Sequence, residues 1–189
     1  MVKLKGNYLK ILCVVLLIFV SFLLIWCWDS SGGNDTSSIN VRWFELNYNG
    51  NTKFEKVRLK TDDLDEIDYL FQEVWNDDSE FKDSLLIASK YGQWLWANAF
   101  AQDNLDTLKD HWLTISKIKK TQVWIEKPWE KINAVLVEYQ ITQWLVNEIP
   151  LLYVSQLFIP KDNDMILMSF ITEDHSSQSS ASNMFKNIK

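Results

Sequence analysis

The sequence predicts an α+β protein in which an N-terminal transmembrane helix precedes a compact domain with an antiparallel sheet flanked by helices. Three observations lead there. Residues 11–28 carry no charge. Four strand-like segments separated by polar turns follow Thr121, and apolar residues recur at helical spacing around Leu105 and Met184.

The uncharged stretch from Ile11 to Trp28 is 18 residues long, enough helix to cross about 30 Å of hydrocarbon. Lys3, Lys5 and Lys10 precede it, and the next basic residue is Arg42. The positive-inside rule therefore places residues 1–10 in the cytoplasm and the following domain on the periplasmic or extracellular side of an inner (plasma) membrane. Trp26 and Trp28 would sit at the outer interface. A cleaved signal peptide competes with this reading, but Leu23, Leu24, Ile25 and Trp26 occupy positions where cleavage takes small residues. Lipidation at Cys27 meets a similar obstacle, since Trp26 stands where a small residue is usual. Cys13 and Cys27 are the only cysteines, so the domain can form no internal disulfide.

Residues 29–40, rich in Ser, Gly, Asn, Asp and Thr, read as a flexible tether to a domain over 41–189. All 25 acidic residues follow the apolar stretch while three of the 19 basic ones precede it, which leaves the remainder with about nine net negative charges. That balance opposes binding to nucleic acid through a general basic surface.

Within the domain, Val41 to Tyr48 and Thr52 to Leu59 flank Asn49-Gly50, which predicts a type I′ hairpin. Thr61 and Asp62 can cap a helix carrying Leu64, Ile67, Phe71 and Val74, with Asp62, Asp63, Asp65 and Glu66 at its positive end. Ser84 to Ser89 and Gln93 to Phe100 look like two strands about Tyr91-Gly92, with a continuous helix as the alternative. A second helix, capped by Asp103 or Asn104, aligns Leu105, Leu108, Trp112 and Ile115. Gln122 to Glu126, Asn133 to Thr142, Leu151 to Ile159 and Met165 to Ile171 then predict an antiparallel meander. The last two are apolar on both faces and should be covered on both. Ala181, Met184, Phe185 and Ile188 form the stripe of a closing helix that can dock on one sheet face.

Four segments of the C-terminal half resemble the PsbP and DcrB superfamily. They are Ala134-Val135-Leu136-Val137-Glu138-Tyr139, Tyr153-Val154-Ser155-Gln156-Leu157-Phe158, Ile166-Leu167-Met168-Ser169-Phe170 and the helix end Met184-Phe185-Lys186-Asn187-Ile188. The resemblance implies a compact domain with an antiparallel sheet between helices, serving as a binding or assembly module. It carries over no functional residue.

Catalytic and metal-binding patterns are sparse. The two histidines, His111 and His175, have no second histidine at ligand spacing, which argues against a zinc site. A solvated helix face accounts for His111, and helix capping accounts for the acids before His175. Ser116 and Lys119 match the Ser-x-x-Lys spacing of some hydrolases, but so do Ser79 and Lys82, and neither pair has a companion motif. Asp162-Asn163-Asp164 lacks the glycine and distal glutamate of a calcium loop and reads as a hairpin turn. No cofactor is expected.

Tryptophan is the unusual feature: the chain has ten. Trp112 falls on an apolar stripe, and Trp94 and Trp96 share a predicted strand face with Phe100, so core packing accounts for these. Trp124 alternates out of phase with Val123 and Ile125, Trp129 follows Pro128 in a turn, and Trp144 ends a strand. These three are the candidate partner-binding residues, since exposed indoles beside polar groups anchor interfaces. The function expected is therefore that of a noncatalytic, membrane-anchored subunit or accessory protein of a bacterial envelope complex, binding another envelope or membrane protein. An immunity protein neutralising a basic toxin is the alternative within the binding class. A bridging secretion subunit with a cone-shaped fold would place its helices before the sheet. A hydrolase using Ser116 and Lys119 is the enzymatic one.

Overall fold

Strands that are apolar on both faces are stable only where both faces are covered, and such strands form the centre of this fold. The structure is a computed structural model that describes residues 38–41, 44–48, 54–57, 67–73, 83–91, 96–110, 113–143, 151–162 and 164–188. In chain order its elements are β1 (Ser38–Val41), β2 (Phe44–Asn47), β3 (Phe54–Val57), β4 (Ile67–Glu73), β5 (Ser84–Tyr91), α1 (Ala97–Asp110), β6 (Leu113–Lys127), β7 (Glu130–Gln143), β8 (Leu152–Lys161), β9 (Asp164–Thr172) and α2 (His175–Lys186). Seven strands form one sheet in the order β3-β4-β5-β9-β8-β7-β6, with every neighbouring pair antiparallel. Among the described residues, β1 and β2 pair only with each other.

The two sheet faces make two cores. On one, Leu136, Leu157, Met168 and Phe170 pack under Ala181, Met184 and Phe185 of α2, and the β1–β2 hairpin adds Ile39, Val41, Phe44 and Leu46. On the other, Val137, Tyr139, Val154, Phe158 and Leu167 lie beneath Ala97, Ala101, Leu105 and Leu108, one stripe of α1. Polar side chains tie both helices to the central strands, as buried polar groups require. Asn104 Nδ2 donates to Gln156 Oε1 at 2.9 Å, and Gln178 Nε2 donates to the Val154 carbonyl at 2.9 Å. Asp174 caps α2, its carboxylate accepting from the backbone N–H groups of Ser176 and Ser177 at 3.1 and 3.0 Å. Asp174→Ala removes that cap, and urea denaturation is expected to register a loss of about 1 kcal/mol.

The fold class differs from the sequence-based expectation. Nine strands and two helices among the described residues make a predominantly antiparallel β protein rather than an α+β one with a transmembrane helix. No helix among those residues is long and apolar enough to cross a membrane, so the single-pass description does not belong to the observed fold. The predicted span 11–28 lies outside the described residues.

Four local expectations are also corrected. Ile67 and Phe71 belong to strand β4, not to a helix, because β3 and β5 complete its ladder on either side. Ala97 to Phe100 open α1 instead of continuing a strand, and Ile115 lies in β6 beyond the end of that helix. The expected hairpin about Asn49-Gly50 is replaced by different partners, β2 pairing β1 and β3 pairing β4; Asn49 and Gly50 themselves lie outside the described residues. The tether expected to reach Asn40 gives way to strand at Ser38, where Ile39 is already buried. The meander, the two-sided cover of β8 and β9 and the closing helix are as the residue pattern implied.

Candidate functional site in the β6–β7 arm

β6 and β7 stay paired down to Lys127↔Glu130, whereas the pairing of β7 with β8 runs only from Ile141↔Leu152 to Val135↔Phe158. Residues 123–127 and 130–134 therefore continue beyond the β7–β8 ladder as a two-stranded arm, closed by a turn at Pro128 and Trp129. Pro160, two residues beyond the last β8 pair, has no N–H to extend that ladder. One face of the arm is apolar: Val123, Ile125, Ile132 and Ala134 are buried in the core that includes the β1–β2 hairpin.

The opposite face is open. Trp124 is 52% exposed there, and Trp129 in the turn is 97% exposed. Glu126, Lys131 and Asn133 share the face with Trp124, since Trp124 pairs Asn133 and Glu126 pairs Lys131 across the ladder. The Lys131 ammonium lies 5.1 Å from the Trp124 ring centroid and 3.1 Å from Glu126 Oε1. The Trp124 ring is thus held against one cation, which a carboxylate holds in turn, and stays half-exposed. The third sequence candidate, Trp144, lies outside the described residues.

Trp96, which the sequence reading assigned to a core strand, is 85% exposed just before α1. The Phe100 ring is 6.0 Å from Phe158, and Lys120 Nζ donates to Gln102 Oε1. Phe158 pairs Val135, which pairs Gln122 at the base of the arm. The first turn of α1 therefore lies at that base, with Trp96 on the same side of the sheet as Trp124. An exposed aromatic just ahead of a helix start was the available signal, and it was hidden by reading the segment as strand.

Behind the arm is a cleft of about 270 Å³ bounded by Phe44, Lys127, Glu130, Ile132 and Lys161. Lys127 Nζ sits 4.6 Å from the Phe44 ring centroid. Burial, and then the neighbouring charge of Lys161, hold the Lys127 ammonium below the usual lysine range, with Glu130 opposing them. Lys161 Nζ is paired with Glu130 Oε2, and that hydrogen bond pushes Lys161 up.

The enzymatic candidates are engaged elsewhere. Ser116 and Lys119 flank a register shift in β6, with Lys117 in the left-handed region at φ 52°. Lys119 Nζ is directed to Glu138 Oε2 at 3.2 Å rather than to a hydroxyl. Glu138 in turn accepts from Ser182 Oγ at 2.8 Å, and Ser182 meets Ser155 at 2.9 Å. Burial pushes the Glu138 carboxyl up, but the Ser182 and Lys119 contacts outweigh it and hold it below the usual range. Ser155 and Ser182 are buried, and this chain of contacts joins α2 to the sheet. Ser79, Lys82 and His111 lie outside the described residues, and His175 packs edge-on against Tyr153 with ring centroids 5.4 Å apart. Among the described residues no group of three or more His, Cys, Asp or Glu side chains could hold a metal ion.

No family model and no curated protein matches the chain. The fold is similar to the crystal structure of a protein of unknown function, PA94, from Pseudomonas aeruginosa, with 18% identity and a TM-score of 0.49 over 71% of this chain and 94% of that one.

Proposed function

We propose that this domain is a noncatalytic protein-binding module, a subunit or accessory protein of a bacterial envelope complex, and that it grips its partner with the β6–β7 arm. The observation that carries the reading is the exposure of Trp124 and Trp129 on a two-stranded projection whose other face is anchored in the core. An arm fixed on one side presents its indoles with little conformational freedom left to lose, which favours tight association. The charged groups around Trp124 set orientation more than affinity.

Trp124→Ala and Trp129→Ala in the full chain test this. Each is expected to weaken partner capture, measured by crosslinking in intact cells with the captured protein identified, by about 2 kcal/mol. Folding stability should stay within about 0.5 kcal/mol of the parent, because neither ring fills a core position. Unchanged capture by both variants, or unfolding of both, would count against the arm.

A further inference from the structure

We infer that the outer edge of β6, over residues 121–126, takes an extended segment of the partner as an added strand of the sheet. This rests on the protein-binding reading above and adds the mode of recognition, main-chain pairing beside an exposed indole.

β6 ends the seven-stranded sheet, with β7 on one side and no further strand on the other. Among the described residues, no backbone hydrogen bond reaches residues 121–126 except through the β6–β7 ladder. In such a ladder every second residue turns its N–H and C=O away from the partner strand. A row of donors and acceptors at backbone spacing is the complement of another extended chain.

Neither the two sheet edges nor the two halves of β6 are equivalent. The opposite edge is β3, only four residues long, and a strand that short gives little purchase for pairing. β6 has 15 residues, and its first half is guarded. The register shifts between Ser116 and Lys119, Lys117 sits in the left-handed region at φ 52°, and Lys117, Lys119 and Lys120 are exposed. Bulges and edge lysines are the devices by which an edge refuses a further strand. Beyond them the ladder runs without a shift from Thr121↔Leu136 to Glu126↔Lys131, through Val123, Trp124 and Ile125, all residue types that favour strand. The guard stops where the regular stretch starts.

Trp124 gives this stretch its specificity. On the β7 side Asn133 stands directly opposite it, and Lys131 lies 5.1 Å from its ring centroid. On the other side the sheet ends, and the ring is 52% exposed. An added strand supplies the missing cross-strand neighbour, and a β-branched or aromatic residue there would cover the ring. The segment bound is therefore extended, apolar opposite Trp124 and free of proline on its bonding side.

Amide hydrogen exchange of the purified full chain, read by NMR, tests this with and without a capped peptide of alternating Thr and Val long enough to span residues 121–126. In the free chain every second amide of the stretch should exchange as an open one. Saturating peptide should slow that set by about tenfold or more and leave the others unchanged. The same peptide N-methylated throughout cannot donate to the ladder and should bind at least about tenfold more weakly. Trp124→Ala should weaken peptide binding while keeping the alternation. Thr121→Pro or Gln122→Pro, whichever replaces an amide that is open in the free chain, spares the β7 ladder and should abolish the protection.

Open amides that stay open at millimolar peptide, protection without alternation, or an N-methylated peptide that binds as well as its parent would overturn the inference. So would an outer set already slow in the free chain; if that protection rises with protein concentration, the added strand is a second copy's β6. The two readings fail separately. If Trp124→Ala and Trp129→Ala leave partner capture unchanged while alternating protection appears, the grip by the indoles fails alone. If those variants lose capture and no amide gains protection, strand addition fails alone.

Discussion

Phe170→Ala is expected to cost about 3–5 kcal/mol of folding free energy and to loosen the β1–β2 hairpin before the rest of the domain. Phe170 is fully buried, and its ring centroid lies 5.9 Å from that of Tyr48 and 5.9 Å from that of Phe54. Tyr48 and Phe54 meet edge to face at 5.1 Å. The three rings hold together pieces that the backbone ladder does not, because the hairpin forms no ladder with the main sheet among the described residues. Its attachment depends on side-chain burial, and removing the central ring leaves a cavity beneath both neighbours. Chemical denaturation should report the loss, and hydrogen exchange should show Ile39, Val41 and Leu46 losing protection ahead of Leu157 and Met168. If protection falls equally everywhere, the hairpin is not held in this way.

Much of the C-terminal half was legible because its apolar pattern had a single solution. Leu151 to Ile159 and Met165 to Ile171 have no polar face, so each needed cover on two sides, and α1 and α2 supply it. Val123, Trp124 and Ile125 were informative for the opposite reason: in a strand a one-residue change of phase is a change of face, and the structure places Trp124 on the open side. β4 was misread because its strand alternation is broken: the register shifts between Ile67 and Tyr69, so the apolar positions no longer repeat with a period of two, while Tyr69 and Leu70 serve opposite faces of the sheet. The run of acids before it then imitated a helix start. Trp96 was also lost, as aromatic density around it outweighed the Ala97 and Ala101 spacing that marks the apolar stripe of α1. The cleft had no sequence signature, since its residues come from β2, β6, β7 and β8 and meet only through topology.

Asp83 gives the domain a pH dependence of known sign. Its carboxyl is buried, with Thr172 of β9 and Ser177 of α2 as hydrogen-bond partners and with Glu73 of β4 and the cap Asp174 as like-charged neighbours. Burial is the largest influence, and the net result pushes Asp83 from 3.8 up to about 6. Between those values the folded protein holds a proton that the unfolded chain has released, so stability from this group falls as pH rises through the window and stays lost above it. The shift corresponds to about 3 kcal/mol of destabilisation at pH 7. Asp83→Asn keeps an acceptor for Thr172 and Ser177 without the charge, and should therefore be more stable than the parent by up to about 3 kcal/mol at neutral pH. That advantage should vanish on acidification to pH 4, where the parent carboxyl is protonated in the fold. Urea denaturation of both proteins across this range reads the effect of Asp83 with its charged neighbours Glu73 and Asp174, because Glu138, whose carboxyl is held low by other partners, contributes equally to each. A difference between the two proteins that does not change with pH would mean that Asp83 does not titrate in the window. A loss of stability in the variant at pH 7 would mean that its ionised form is what α2 docks against.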